Sequence, residues 1–467
     1  MEALYTIMCK STNTWHTIVY NNMADREALL RELRKVNTWW TTGRLELPGL
    51  VKRECFERAY RELGPGRALQ INGPRRAGKT VVLRQMIAAL IDKGVPPKNI
   101  LYFSLDDPSV PLSSDTSLGD MLDLWLEEVA GPGERYAFFD EAHALPGWHT
   151  WLKSFVDRRP EIRFAFSGSS SLAIQAEASR YLRGRTVELS VLPLTFREFL
   201  QFKGENPPKY RFEQLFGLDR LEVAALCERY RNHLLEYLLV GGYPEWFRVG
   251  DVASWFDRMV SDIPKKAIYE DVVNLFDIRS PRTLENILAF LAENQSRILS
   301  YEKINEVAGL HRSILLNYIE YLKTAFLVIE VPKLARSVRE QAKSMKKFLI
   351  LDQGVRNALV KERELGPEGM GFAIENAVGI GARRHGELFY FRVDGEVDFV
   401  LRRRGELIPI EVKYSDAPNV RPEFFKFIGR HGPSFAIVVT REHFRNEKAG
   451  KTAVHYLPVS LFLLAEP

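Results

Sequence analysis

The segment that most constrains this chain is Gly73–Thr80, which reads GPRRAGKT and fits the pattern Gly-x-x-x-x-Gly-Lys-Thr. The apolar run at 68–71 before it is long enough for a buried strand. After it, apolar residues recur at helical spacing at Leu83, Met86, Ile87, Leu90 and Ile91. A Gly/Lys-rich surface turn could carry the same letters, but the flanking strand and helix favour a phosphate-binding loop.

The residue types in this loop suit a triphosphate. Gly73 and Gly78 let the backbone turn tightly, so that N–H groups and the start of the next helix face phosphate oxygens. Lys79 is expected to reach the β- and γ-phosphates, and Thr80 to ligate Mg²⁺. The sequence therefore predicts an ATP and Mg²⁺ site formed by Gly73, Pro74, Arg75, Arg76, Ala77, Gly78, Lys79 and Thr80.

An acidic element follows the phosphate loop in the sequence, with one predicted strand between them. The apolar run 136–139 ends in Asp140-Glu141, the form of a Walker B element. Asp140 is expected to hold Mg²⁺, and Glu141 to orient or deprotonate the attacking water. Acidic pairs at strand ends are common on surfaces, but this one, downstream of the phosphate loop, favours hydrolysis over passive binding. Glu141 and Lys79 are the predicted catalytic residues.

Two further pairs of catalytic candidates follow, one of serines and one of arginines. The strand at 163–166 runs into Ser167 and Ser169, whose hydroxyls could sense the γ-phosphate or simply cap a helix. Arg185, or Arg183, could stabilise charge on the transferred phosphate, supplied within the chain or by a neighbouring copy. A solvated arginine is the alternative.

Size and composition indicate a multidomain globular protein. The 467 residues exceed one hydrophobic core, and the net charge of +5 is too mild to indicate nucleic acid by itself. Three widely spaced cysteines form no metal motif and favour a reducing compartment. With no signal segment and no run of about 18 apolar residues, we expect a cytoplasmic protein that has no membrane partner.

The order of motifs resembles the archaeal-type P-loop ATPases of the AAA/STAND-related branch, which carry a C-terminal restriction-endonuclease-like domain. The resemblance covers nearly the whole chain from Trp39 and rests on GPRRAGKT, FFDEAH, SGSSSL, RGRTVELSVLPLTFREFL and GGYPEW. It implies a nucleotide-hydrolysing core. It also implies that the helix-rich segment after Phe202, which includes GGYPEW, is a helical lid, although a helical spacer is the alternative.

Residues 264–331 predict a winged helix-turn-helix. Ser300 is expected to cap a short helix, Gly309 to make the turn, and a third helix to bury Ile314 among other apolar residues. The ribbon 333–347 is rich in lysine and arginine, which favours DNA contact through residues 300–347. A solvated hairpin or a protein-binding surface is the alternative.

The C-terminal segment predicts a nuclease-like site. Asp398 followed by Glu411-x-Lys413 fits the PD-(D/E)xK pattern, except that Gly-Glu-Val rather than Pro leads into Asp398. Asp398 and Glu411 could hold a Mg²⁺, Lys413 could assist an attacking water, and Glu375 could complete the set. An inactive or DNA-docking domain is the alternative.

The predicted fold class is α/β. Its segments are a helical approach (1–64), a P-loop NTPase core with a parallel sheet (65–200), a helical lid (201–262), a winged helix-turn-helix with a basic wing (263–347) and a restriction-endonuclease-like α/β domain (348–467). We expect an ATPase that couples nucleotide state to DNA or a protein partner, as a monomer or an oligomer. The alternatives are an ATP-gated, Mg²⁺-dependent DNA nuclease and a non-cutting nucleotide-dependent switch.

Overall fold

The structure, a computed structural model, describes residues 23–107, 118–145, 148–168, 184–273, 278, 280–393, 395–415 and 418–466. The chain forms two compact units. Unit 1 is Met1–Gly73 with Lys79–Val191, and unit 2 is Pro74–Gly78 with Leu192–Pro467. The predicted five-segment division is not tested by this partition and stays a prediction.

Unit 1 is built on a parallel five-stranded sheet in the order β2-β3-β4-β1-β5. The central strands are almost wholly buried, which explains why they read as near-continuous apolar runs rather than alternating ones. The strands are β1 (Ala68–Asn72), β2 (Ile100–Ser104), β3 (Arg135–Asp140), β4 (Ile162–Gly168) and β5 (Thr186–Ser190). Since β4 lies between β1 and β3, the phosphate-loop strand and the Asp140 strand are separated by one strand.

The α-helices of unit 1 alternate with its strands, as the sequence predicts. They are α1 (Met23–Val36), α2 (Trp39–Thr42), α3 (Phe56–Glu62), α4 (Lys79–Asp92), α5 (Leu118–Glu128) and α6 (Trp148–Arg158). Trp39 and Trp40 are packing residues: both are buried, and both indoles donate to the Ile100 carbonyl.

Unit 2 opens with a helical segment. Its α-helices are α7 (Phe196–Phe202), α8 (Arg220–Val240), α9 (Trp246–Val249) and α10 (Val252–Val260). A short strand, β6 (Tyr210–Arg211), lies between α7 and α8. Thr195 and Glu198 cap α7 reciprocally, a capping box that stabilises the start of this helix. After α10 the helix continues with π-helical hydrogen bonding over Ser261–Lys265 and Ala267–Val272.

Four helices and a small sheet follow. They are α11 (Pro281–Glu293), β7 (Ile298–Leu299), α12 (Tyr301–Ala308), α13 (Arg312–Thr324), β8 (Val328–Pro332), α14 (Val338–Lys343) and β9 (Lys346–Ile350). The three strands are ordered β7-β9-β8. The Ser300 hydroxyl caps α12 as expected, and Gly309 makes the turn in a left-handed conformation.

Two expectations for this region are wrong. Ile314 is 43% exposed rather than buried, because it lies on the outer face of α13. Lys346 and Lys347, expected in the exposed basic ribbon, are buried within β9. The exposed basic residues of the ribbon are therefore Arg336, Arg339 and Lys343.

The C-terminal part contains a mixed six-stranded sheet in the order β10-β11-β12-β13-β15-β14. Its strands are β10 (Glu387–Arg392), β11 (Glu396–Arg403), β12 (Glu406–Lys413), β13 (Phe435–Thr440), β14 (Arg445–Ala449) and β15 (Thr452–Pro458). Its helices are α15 (Gln353–Leu359), α16 (Pro367–Arg383), α17 (Pro422–His431) and α18 (Val459–Leu463), and β16 (Ala465–Glu466) pairs with β6. Over the described ranges, no helix is both long and apolar enough to cross a membrane.

Candidate functional site

The oxygen atoms expected around Mg²⁺ lie together at the carboxyl ends of the unit 1 strands. The Thr80 hydroxyl, in the first turn of α4, donates to Asp140 Oδ2 at 2.6 Å. Asp140 ends β3 and is only 2% exposed. A hydroxyl and one carboxylate are oxygen donors of the kind that Mg²⁺ takes when substrate phosphates complete its shell. The donor set therefore fits a Mg·nucleotide.

Lys79 and Gly73 close the loop. The Lys79 ammonium donates to the Gly73 carbonyl at 3.2 Å, and this lysine is nearly buried. A Cβ added to Gly73 would lie 2.0 Å from the Val191 carbonyl oxygen, so only glycine fits there. Gly78 has φ = +100°, a conformation that favours glycine.

Two hydroxyls hold Asp140 from neighbouring strands. Ser167, fully buried near the end of β4, hydrogen-bonds Asp140 Oδ1, and Tyr102 on β2 donates to Oδ2 at 3.0 Å. Burial and the Asp140 carboxylate together raise the pKa of Tyr102, so this phenol stays a donor. Ser167 thus lies in the site, but its hydroxyl is committed to Asp140. Ser169 and Arg183 fall outside the described residues.

Glu141 has the backbone strain often found at active sites. Its φ of +48° is unusual for a residue with a side chain, and its backbone N–H faces Asp140 Oδ1 and Ser167 Oγ at 3.2 and 3.3 Å. Its Oε2 is buried, lies 3.4 Å from His143 Nδ1 and accepts no hydrogen bond from the described residues. A carboxylate oxygen with accepting capacity suits a general base.

The structure corrects the role of Arg185. This residue precedes β5, and its carbonyl accepts from Ala68 N–H, at the amino end of β1. The phosphate loop follows the carboxyl end of the same five-residue strand, roughly 15 Å away at about 3.3 Å per residue. Arg185 instead pairs with Asp157 at 2.6 Å. A catalytic role within the chain is therefore wrong, whereas supply by a neighbouring copy stays a prediction.

The arginines of the loop tip, which belong to unit 2, pair with carboxylates of the same unit. Arg75 donates to Asp271 through Nη2 at 2.7 Å and Nε at 3.1 Å, and its Nη1 lies 2.7 Å from Glu270. Arg76, with φ = +63°, pairs with Glu245 and lies 3.0 Å from Asp262. Pro74 and Ala77 supply the backbone between the glycines, and Ala77 is buried.

The C-terminal candidates also come together. Asp398 on β11 accepts from the Val412 backbone N–H at 2.8 Å, while Lys413 lies 2.8 Å from the fully buried Glu411. Arg421 reaches both carboxylates at 3.2 Å. Burial and the Asp398 charge raise the pKa of Glu411. Each carboxylate therefore already has a cationic partner from the protein.

Glu375, the fourth candidate, pairs with an unexpected lysine. The Lys347 ammonium, fully buried, lies 2.8 Å from Glu375, 3.2 Å from Glu396 and 3.1 Å from the Asp398 carbonyl oxygen. Burial alone would lower the pKa of Lys347, but the surrounding carboxylates outweigh it and raise that pKa. Burial raises the pKa of Glu375 to about 7. Glu375 also borders a cavity of about 250 Å³.

These cations argue against a metal at the C-terminal cluster. Within the part of the chain that the structure describes, no group of three or more His, Cys, Asp and Glu side chains is arranged to hold a metal ion. A Mg²⁺ ion at Asp398 and Glu411 would have to displace Arg421. In this arrangement Asp398 and Glu411 therefore do not fit the predicted Mg²⁺ site.

Three residues of these sites were missed by sequence reasoning. Tyr102 reads as one apolar strand residue among several, and Lys347 and Arg421 read as ordinary surface cations. The sequence gives only a weak indication that Lys347 is buried: this lysine directly precedes the apolar run Phe348–Leu351.

Comparison with known families agrees with this geometry. Residues 65–200 match the family model described as an AAA domain, which supports a P-loop AAA-type ATPase core. Residues 231–366 and 370–462 match two domains of unknown function, DUF8612 and DUF4143.

The chain also resembles whole proteins. It is 24% identical over 360 residues to an uncharacterized Haemophilus influenzae protein (75% of this chain, 83% of that one). It is 28% identical over 358 residues to one from Methanocaldococcus jannaschii (73% of each). Matches among solved structures include the Saccharomyces cerevisiae Hsp104:casein complex (TM-score 0.31, 18% identity, covering 58% of this chain and 50% of that one). Another is AMPPCP-bound DnaA from Aquifex aeolicus (TM-score 0.24, 14% identity, 58% and 86%).

Proposed function

We propose that this protein binds Mg·ATP through Gly73–Thr80 and hydrolyses it with Glu141 as general base. The observation that carries the proposal is the 2.6 Å hydrogen bond between the Thr80 hydroxyl and Asp140. It joins the loop to the acidic element at the edge of the sheet where ligands of such folds bind. The AAA-domain match over 65–200 supports the same conclusion.

Each residue has a defined part in this reaction. Mg²⁺, held by Thr80 and Asp140, would neutralise charge on the β- and γ-phosphates. Lys79 would leave the Gly73 carbonyl and donate to phosphate oxygens. Glu141 would accept a proton from the attacking water while the water oxygen bonds to the γ-phosphorus. The bond from that phosphorus to the β–γ bridging oxygen would break, which releases ADP and phosphate. Ser167 and Tyr102 would keep Asp140 oriented.

Two substitutions separate binding from chemistry. Lys79→Ala should weaken ATP binding by at least about tenfold, because a charge-assisted contact to phosphate is lost. Glu141→Gln should keep binding but lower kcat by about 10²–10⁴-fold, because the amide cannot accept the proton. Lys93→Ala, in the turn after α4, and Glu161→Gln, before β4, remove the same groups at exposed positions and should behave like wild type. Wild-type turnover in both site variants would contradict the proposal.

We further propose that nucleotide state is coupled to binding of DNA or a protein partner, without DNA cleavage. The helix–turn–helix of α12 and α13 beside a small sheet supports a winged helix, and the exposed Arg336, Arg339 and Lys343 support phosphate contact. On α13 itself, Arg312 and Lys323 pair with Glu302 and Glu320. The protein cations on Asp398, Glu411 and Glu375 favour a non-cutting domain.

DNA binding and cleavage are tested together. Changing Arg336, Arg339 and Lys343 to Ala should lower DNA affinity and reduce the slope of log K against log[salt] by about 3. The same change at the exposed Arg31, Arg34 and Lys35 is the control. DNA cleavage with Mg²⁺ or Mn²⁺ that disappears in Lys413→Ala would establish a nuclease instead. If the slope of log K against log[salt] is the same for the wild type, the ribbon variant and the control variant, the DNA proposal is wrong.

A further inference from the structure

Both arginines of the phosphate loop are occupied by carboxylates. Glu245, Asp262, Glu270 and Asp271, here called the acidic clamp, contact Arg75 and Arg76. Three of these four carboxylates lie 2.7–3.0 Å from a guanidinium nitrogen, and Asp271 accepts from both Nε and Nη2 of Arg75. A guanidinium fork filled in this way has few N–H groups left for phosphate oxygens.

The clamp is built into an unusual stretch of helix. Asp262 lies in the π-helical segment Ser261–Lys265, and Glu270 and Asp271 lie in Ala267–Val272. Such π-helical segments are rare and often occur at functional sites. Glu245 belongs to the Gly241–Trp246 motif, whose role the sequence left open. Arg76, in turn, has φ = +63°, a left-handed conformation that a residue with a side chain rarely keeps unless its surroundings impose it.

The charges of the clamp are balanced without a nucleotide. Lys266 lies 3.3 Å from Asp262 and Arg258 lies 3.7 Å from Glu245, so four carboxylates meet four cations once Arg75 and Arg76 are included. A triphosphate brings further negative charge to the loop. It would attract both arginines and repel the carboxylates beside them.

We propose that the acidic clamp competes with the nucleotide phosphates for Arg75 and Arg76. The clamp carboxylates are positioning residues. They hold Arg75 and Arg76 until a triphosphate attracts these arginines away from the clamp. Nucleotide binding is then linked to release of the 245–272 segment, and by reciprocity anything that secures this segment against the loop weakens nucleotide binding. This inference rests on the proposed nucleotide site at Gly73–Thr80.

The test is a double-mutant cycle on nucleotide affinity, measured by calorimetry with Mg²⁺ and a non-hydrolysable ATP analogue. Asp271→Asn should tighten binding about threefold to tenfold, because a neutral amide holds the Arg75 guanidinium less strongly than a carboxylate does and so competes less with the phosphates. In an Arg75→Ala background the same change should have no effect, because the competition acts through Arg75. Glu270→Gln, at a more exposed position, repeats the test should Asp271→Asn fold poorly. Asp257→Asn, on the exposed face of α10, is the matched charge control.

A second measurement reports release directly. Hydrogen exchange in 252–273 should become faster on analogue binding in the wild type, and Lys79→Ala should abolish the change. Weaker binding by both Asp271→Asn and Glu270→Gln, or equal tightening with and without Arg75, would overturn the clamp while leaving the nucleotide site intact. Absence of binding by the wild type would overturn the proposed function and the clamp together.

Discussion

At the scale of single residues, the phosphate loop and its acidic partner could be predicted because each letter has a chemical reason. Glycine is required where a side chain would meet the Val191 carbonyl, and a hydroxyl and a carboxylate are required where Mg²⁺ is held. The side chains that orient Asp140 could not be predicted. Tyr102 reaches it across the pairing of β2 with β3, and no local pattern encodes that neighbour.

Tyr102→Phe tests this missed contact. Without the phenol, Asp140 Oδ2 keeps only the Thr80 donor among the contacts seen here, and its orientation is less fixed. We expect the Mg²⁺ concentration for half-maximal ATP turnover to rise about tenfold, as on loss of other groups that orient metal ligands. Tyr136→Phe is a matched control on β3, because its phenol donates to Glu134 near the opposite end of the sheet. Equal Mg²⁺ dependence in the two variants would contradict this role.

At the scale of elements, the sequence predicted most strands and helices of the chain but not all of their environments. Continuous apolar runs locate β1, β3 and β4, and Ser300 and Gly309 mark the boundaries of α12. Periodicity does not say which side of a strand meets another layer. Lys347 therefore reads as part of a basic surface ribbon, although its side chain is fully buried and pairs with Glu375 and Glu396.

One buried helix cap gives a pH-dependent prediction. Asp352 caps α15 by accepting from Val355 N–H at 3.1 Å, and it accepts from Gly242 N–H at 2.6 Å. Burial raises its pKa from 3.8 to about 6. Between these values the folded state holds a proton that the unfolded chain has released, so this carboxyl's contribution to stability is present below about pH 4 and lost by about pH 6.

Asp352→Asn should remove this dependence, since the amide is neutral at every pH. Relative to the variant, the wild type should lose up to about 3 kcal/mol of unfolding free energy between pH 4 and pH 7, measured by denaturant titration at several pH values. Asp219→Asn, at the exposed cap of α8, is the control and should run parallel to wild type. If the unfolding free energy of Asp352→Asn also changes with pH in parallel with the wild type, the pKa of Asp352 is not raised by folding and the prediction is wrong.

At the scale of the whole molecule, the sequence indicated several domains but could not give the order of strands or the partition of the chain. The strand order β2-β3-β4-β1-β5 depends on which helices cross which face. The division of the chain into two units is even harder to predict from the sequence. Pro74–Gly78 belongs by its contacts to unit 2, while both flanking segments belong to unit 1. The ion pairs of Arg75 with residues almost 200 positions away have no signature in local sequence.

The last prediction concerns the stability of the whole chain. A ligand that binds only the folded protein stabilises it by RT ln(1 + [L]/Kd), about 2.7 kcal/mol at a hundred times Kd. With Mg²⁺ and a non-hydrolysable ATP analogue at that concentration, we expect scanning calorimetry to show an unfolding midpoint about 3 °C higher for a chain of 467 residues. Lys79→Ala should show at most about half of this shift, because binding that is at least about tenfold weaker leaves about 1.4 kcal/mol or less of stabilisation. A chelator should reduce the wild-type shift, because Thr80 and Asp140 then lack the ion that links them to the phosphates. An equal shift in Lys79→Ala would mean that the nucleotide binds elsewhere on the chain, since the Lys79 contact to phosphate is the part of the loop that backbone groups cannot replace.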